Sequence, residues 1–251
     1  MAVTVKTEPQ IAKMRVAGKV LARGLKMLRA MIKPGVNVLE LDAAFAQFIA
    51  ENGCESNFKG YYGFPATICV SVNEQLIHGI PVDRVINEGD LVSIDAGCKF
   101  EGWHADSAIT VICGNTNNEK YDILVKATEQ SLKLAIEQIK AGVRIGTLSS
   151  TVQNYIEDLG FHLPTDYSGH GIGQEMHEDP NVPNVGIPNT GLRLVAGMVI
   201  CIEPMVQIGT RKTVTAKDGW TVSSADGSMT AHFEHTILVT EDGYEVLTLD
   251  N

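Results

Sequence analysis

The chain has 251 residues, 44% apolar and 20% charged, enough to bury a sizeable core as one large domain or two smaller ones. Its net charge of −10 argues against a nucleic-acid binder that works through a basic surface, because phosphate contacts need clustered Lys and Arg. No stretch approaches about twenty apolar residues in a row, and residues 1–10 lack an apolar signal core, so neither a membrane span nor an export signal is expected.

Residues 8–32 read as a helix, with Ile11, Met14, Val16, Leu21, Leu25 and Leu28 at roughly helical spacing and Pro34-Gly35 beyond its end. A second helix is expected over 39–52, stopped by Gly53. Residues 58–65 (FKGYYGFP) form an aromatic, Gly-rich loop, 67–72 a short strand, and a loop runs through His78-Gly79-Ile80-Pro81. Residues 91–112 predict a β-hairpin, with turn-prone and polar Gly97, Lys99, Glu101 and Gly102 between its arms.

Each arm carries an acid, Asp95 and Asp106. Strand alternation puts Ser93, Asp95 and Gly97 on one side, and His104, Asp106 and Ala108 on one side. An Asp is poor in a strand and costly to bury alone, and two on adjacent arms repel unless a proton or cation lies between them. Taken alone, the hairpin equally fits an acid pair on the wet face of a sheet. A charged helix is expected over 118–140. The five cysteines (Cys54, Cys69, Cys98, Cys113, Cys201) form no CxxC pair, which suits reduced thiols in a cytoplasm better than a disulfide frame or a thiolate zinc site.

The pattern then returns. Residues 33–53 (KPGVNVLELDAAFAQFIAENG) align without gaps on 140–160 (KAGVRIGTLSSTVQNYIEDLG), and His78-Gly79-Ile80 has a counterpart in His170-Gly171-Ile172. GDLVSID (89–95) is echoed by GMVICIE (197–203), and Asp106 is echoed by Glu234, each before a β-branched strand. Landmarks in the same order point to duplication, roughly 33–118 and 140–240, too few copies for a solenoid. Two halves packed about a pseudo-two-fold axis would set Asp95 opposite Glu203 and Asp106 opposite Glu234. No fold holds four converging carboxylates cheaply, and two divalent cations would balance them.

The stretch SGHGIGQEMHEDP (168–180) carries His170 and His177, without the i, i+4 spacing of a helical HExxH zinc protease. Gly169, Gly171 and Gly173 let backbone crowd a ligand or take positive φ. A lone His here would be a hydrogen-bonded loop residue; inside the repeat, His170 is the expected ligand, with His177 and His78 lining the site. Four carboxylates and one imidazole favour Mn(II), Fe(II) or Co(II), and zinc is compatible.

These segments resemble the methionine aminopeptidase family, whose pita-bread fold is shared with prolidase and creatinase. The resemblance rests on NEQLIHGIP (73–81), SIDAG and HADS (93–97, 104–107), SGHGIGQEMHEDP (168–180), CIEPM (201–205) and FEHTILVT (233–240), and covers nearly the whole chain. It implies an α+β pita-bread fold: one catalytic domain over 1–251, with two pseudo-two-fold related halves, a curved antiparallel sheet and outer helices. It implies that Asp95, Asp106, His170, Glu203 and Glu234 hold two divalent ions. Asp106 and Glu234 would bridge them, Asp95 would complete one shell, and His170 with Glu203 the other. Glu203 would shuttle the nucleophile's proton, His177 stabilise charge at the scissile amide, and His78 position the peptide.

The family's methionine pocket maps onto Phe58, Tyr61, Phe64, Cys69, Met176 and Trp220, although plain core packing would also place an aromatic such as Phe64. Phe58, Phe64 and Met176 depart from the polar-tipped Cys and Tyr set of some bacterial relatives. Asn73, Gln75 and Thr230 fall where some relatives bind a monovalent cation.

The implied activity is removal of initiator methionine from nascent proteins with a small second residue, by hydroxide activated between two metal ions. A prolidase-like dipeptidase is the near alternative, but such enzymes usually carry a separate N-terminal domain for which 1–32 leaves no room. A non-catalytic binding protein on the same fold would lose ligands, and all five positions are occupied. No Cys/His-rich extension precedes Cys54, as in short bacterial type 1 members, and the start Met1-Ala2 makes the chain an expected substrate of its own activity. Nascent N-termini are the expected partner. Ribosome docking would draw on basic residues between Lys13 and Lys33; no DNA or membrane partner is expected, and nothing demands more than a monomer.

Overall fold

The computed structural model describes residues 3–250, so the Met1-Ala2 start lies outside the described residues. Helix α1 (Glu8–Met31) is entered through a reciprocal cap in which the Gln10 carboxamide accepts the Thr7 N–H at 2.8 Å. Ile11, Met14, Leu21, Leu25 and Leu28 are buried as their spacing predicts, whereas Val16 is exposed.

Helices α2 (Val38–Glu51) and α4 (Ile145–Asp158) occupy matching places in the two aligned segments, with α3 (Glu119–Ile136) between them. The chain enters both in the same way. Gly35 and Gly142 turn at φ 95° and 93°, a region cheap only for glycine, and donate to Ile86 O and Leu194 O. Helix α3 stops short of the expected Lys140, because Ile139 leaves the helix to enter the core just before the Gly142 turn.

The hairpin strands Leu91–Phe100 and Trp103–Ile112 pair along their whole length, with Asp95 opposite Ala108 and Gly97 opposite Asp106. Both acids therefore project from one face. The turn is only Glu101-Gly102, at φ 48° and 78°, the two-residue geometry that matches strand twist. Gly97 and Lys99, expected in the turn, lie in the strand instead. The reverse face, with Val92, Ile94, Ala96, Cys98 and Ala105, packs with α1 and α2 into one apolar core. The acid face is not wet, since Asp106 is 4% exposed.

Ile68–Val72 pairs with the other edge of Leu91–Phe100. A second sheet runs in the order Tyr244–Val246, His235–Val239, Val199–Ile202, Ser168–Gly171, Glu178–Pro183, and α3 and α4 share its core. The two sheets meet where Ala108 pairs antiparallel with Glu234. Two threonine hydroxyls replace direct pairing on either side. Thr236 Oγ1 donates to Asp106 O at 2.7 Å and accepts the Asp106 N–H at 2.9 Å. Thr110 Oγ1 does the same at His232, at 2.8 Å in each direction. This seam makes one curved surface of the two sheets and brings Asp106 beside Glu234. Among the described residues no helix is long and apolar enough to cross a membrane.

Candidate active site

A cavity of about 200 Å³ opens at this seam, with Asp95, Asp106, His170, Glu203 and Glu234 along one side. Carboxylate oxygens of Asp95, Asp106 and Glu234 lie within 4.8 Å of one another. His170 Nε2 stands 3.6 Å from Glu203 Oε1. Buried Asp95 Oδ1 and Glu234 Oε1 have no hydrogen-bond partner, an expensive condition for a carboxylate in a protein interior. Burial pushes the Asp95 carboxyl up to about 7. Burial first, then the neighbouring acids, hold Asp106, Glu203 and Glu234 well above the ordinary carboxylate range. Hard oxygen donors with orphaned lone pairs, plus one imidazole, fit divalent cations.

His170 is prepared for the same task. Its Nδ1–H donates to Gly171 O at 2.9 Å, which leaves the Nε2 lone pair toward the acids. Burial, then His177, drops its pKa to about 3, so the ring stays neutral and able to coordinate. Cys201, not picked out by sequence, joins the His170–Glu234 cluster. Burial, then Glu234 and Asp106, hold its thiol well above the usual range, so it meets the acids as S–H rather than thiolate.

The opposite wall is apolar. Phe58, Phe64, Cys69 and Met176 are buried together, with Tyr61 and Trp220 packed against them. Phe64 meets Phe58 edge-on at 6.4 Å and Trp220 at 5.1 Å, so it is both core residue and cavity wall. His78 sits at φ 58°, held in this sparse region by its neighbour Gly79, whose O accepts from Val70 N at 2.9 Å and whose N–H donates to Ser71 Oγ at 3.1 Å. His177 Nδ1 is 2.8 Å from the Tyr61 hydroxyl, and its ring centroid is 4.2 Å from that of His170. The thirteen side chains expected as metal ligands, catalytic groups or methionine-pocket wall all border this one cavity, whereas Asn73, Gln75 and Thr230 do not line it.

Gly169, Gly171 and Gly173 are needed for space rather than for conformation. None takes positive φ. A β-carbon would strike Cys201 O at Gly169, Asp179 O at Gly171, and the Glu178 carboxylate at Gly173. The glycines let strands pack backbone against backbone. Gly171→Ala is expected to destabilise the fold by about 1–3 kcal/mol, read as a lower urea midpoint at unchanged m-value.

Three further polar side chains, to which the sequence assigned no role, lie near the cluster. His232 Nε2 lies 3.8 Å from Glu203 Oε2, and neither ring nitrogen has a hydrogen-bond partner. His104 Nδ1 is likewise buried and unpartnered. Asn184 Nδ2 donates to Glu203 O at 2.9 Å. A signal existed for the histidines: His232 precedes Glu234 by two residues as His104 precedes Asp106, on the acid's own strand face. Asn184 had none.

Residues 12–241 match the model of metallopeptidase family M24. Over 246 residues the chain is 64% identical to a methionine aminopeptidase of Mycoplasma capricolum, covering 98% of each chain. The chain belongs to family M24, among its methionine aminopeptidases. It is 46% identical to methionine aminopeptidase 1 of Bacillus subtilis over 97% of this chain and 98% of that one. The crystal structure of a Thermotoga maritima methionine aminopeptidase superposes with a TM-score of 0.97 at 43% identity, covering 99% of this chain and 100% of that one. A Pyrococcus furiosus prolidase superposes at 0.79 and 25% identity, covering 97% of this chain and 65% of that longer one. The fold is the pita-bread fold, and this M24 aminopeptidase is a hydrolase that uses divalent metal.

Proposed function

We propose that the chain removes the initiator methionine from nascent proteins whose second residue is small. The observation that carries this is one cavity joining four buried carboxylates and His170 to an apolar aromatic wall. Asp95, Asp106, His170, Glu203 and Glu234 would hold two divalent ions of manganese, iron or cobalt, with zinc also compatible. When bound, such ions supply Lewis acidity and lower the pKa of water at the site.

The chain's own residues do the rest. Glu203 accepts the proton of the attacking water and passes it to the leaving amine. In the His177 tautomer protonated at Nε2, Nδ1 accepts from the Tyr61 hydroxyl 2.8 Å away and Nε2–H donates to the oxygen that gains charge at the scissile amide. His78 positions the peptide. Phe58, Tyr61, Phe64, Cys69, Met176 and Trp220 receive the methionine side chain, Met176 as an adaptable thioether wall.

Thr230 Oγ1 lies 2.9 and 2.8 Å from the carbonyl oxygens of Asn73 and Gln75, more acceptors than its single proton can serve. A monovalent cation held by Asn73, Gln75 and Thr230 accounts for that convergence. We read 1–251 as one catalytic domain with an internal repeat; the matched entries of α2 and α4, and turns at Gly89 and Gly197 at φ 84° and 88°, support this. Ribosome association through the basic residues between Lys13 and Lys33, a monomeric state and a cytoplasmic setting complete the proposal.

Purified protein, chelated and then given Mn(II) or Co(II), is expected to release methionine from Met-Ala-Ser and not from Met-Leu-Ser. Release from neither, with metal binding measured by calorimetry, would leave a binding protein on this fold. Cleavage of Ala-Pro instead would point to a prolidase-like dipeptidase.

A further inference from the structure

The extended arm before α1 carries a lysine whose ammonium group is almost wholly removed from water. The side chains of Lys6 and Glu178 are 2% and 7% exposed, and Lys6 Nζ donates to Glu178 Oε2 at 2.9 Å. Thr4 closes the group: its hydroxyl donates to Glu178 Oε2 at 2.6 Å and accepts from Lys6 Nζ at 2.6 Å. The arm itself is pinned, since Lys6 N–H donates to Gly197 O at 2.8 Å. A buried ion pair is a poor source of net stability, because desolvation offsets the attraction. What it provides is a fixed geometry between two segments 172 residues apart.

The segment it fixes is the one that matters for substrate. The other oxygen of Glu178, Oε1, accepts the Glu175 N–H at 3.3 Å, so this one carboxylate ties the chain on both sides of Met176-His177. Gly173 lies so close beneath that a β-carbon there would collide with the Glu178 carboxylate and the Lys6 stem. Its carbonyl accepts from His104 N at 2.9 Å, which joins the loop to the Asp106 strand. Met176 is in the aromatic wall and His177 beside Tyr61 and His170. We propose that Lys6 is a positioning residue: its buried bridge to Glu178 holds Met176 and His177 at the working distance from substrate. The proposal rests on the role given to His177 above.

Lys6→Met keeps the stem and removes the charge. With saturating Mn(II) it is expected to lower kcat on Met-Ala-Ser about tenfold or more, with a smaller change in KM. It is also expected to move the imidazole C–H NMR line of His177, assigned by its disappearance in His177→Ala. The double variant Lys6→Met/Glu178→Gln no longer buries an uncompensated carboxylate, so it should regain thermal stability while kcat stays low and the His177 line stays displaced. Recovery of kcat together with stability would reduce the bridge to a structural role and overturn the proposal. So would a Lys6→Met enzyme with unchanged kcat and an unmoved His177 line. A fully active His177→Ala enzyme would instead overturn the His177 assignment, a result separate from the bridge, whose effect is read in the NMR line.

Discussion

Glu234→Gln is expected to lower methionine release about a thousandfold or more, while raising the melting temperature of the metal-free protein at pH 7.5. Glu234 is 2% exposed, and one of its oxygens is buried without a partner. Its carboxyl shares a space with those of Asp95 and Asp106. The amide has almost the same shape, so packing is kept, but a group whose ionisation burial and its neighbouring acids oppose is gone. The same change deletes an oxygen donor from the group that would hold the ions. Activity and stability should therefore move in opposite directions, as measured by peptide hydrolysis with added Mn(II) and by calorimetry in chelator. A variant that loses both would show that Glu234 is held for structure; one that keeps activity would remove it from the ligand set.

In chelator, the protein should lose stability as pH rises from about 6.5 to 8.5, and divalent metal should remove that slope. The acids whose folded-state pKa is raised, Asp95 to about 7 and Asp106, Glu203 and Glu234 well above the ordinary carboxylate range, hold protons in the folded chain that the unfolded chain has released. Stability is therefore fully present below their unfolded values and is lost as pH climbs through the folded ones. The buried histidines act oppositely. His170 and His232, lowered to about 3, and His78, His104 and His235, lowered to about 4, favour unfolding as pH falls below about 6.5. In the acid range the two groups oppose each other; above about 6.5 the acids set the slope, and toward pH about 8.5 the raised thiols of Cys69, Cys98 and Cys201 act in the same direction. Each proton still held there costs the fold about 1.4 kcal/mol per pH unit, so a single one gives about 3 kcal/mol over the window. Bound cations displace those protons and flatten the curve. A metal-free stability that rises between pH 6.5 and 8.5 would mean the carboxylates are already ionised and separated.

Much of this molecule is legible in one dimension, because the relevant signals are local or depend only on order. Helical spacing located α1 and α2, since one buried stripe suffices to define each. The ungapped match of 33–53 to 140–160 pointed to duplication, and the aligned segments hold α2 and α4, each entered through a glycine turn. Most of the side chains that border the cavity were reachable as well, because they sit in short motifs whose neighbours are specific, although Cys69 and Trp220 sit in none.

Other features needed the third dimension. Alternation grouped Asp95 with Ser93 and Gly97, and Asp106 with His104 and Ala108, but the pairing register put the two acids on one face and the Ala108–Glu234 seam decided that it would be covered. Gly97 and Lys99 look like turn residues by composition, yet full-length pairing keeps them in the strand and confines the turn to Glu101-Gly102. The glycines around His170 are small because backbone at Gly169 and Gly171, and the Glu178 and Lys6 side chains at Gly173, press against them, which no local pattern reports. The same holds for Lys6 against Glu178 and for His232 against Glu203. Residue type, spacing and order along the chain determined the elements, the duplication pattern and the roster of chemical groups. Which charges lose their water, and which partners they meet in exchange, depended on contacts between distant segments, because burial belongs to the packed molecule and not to any stretch of it.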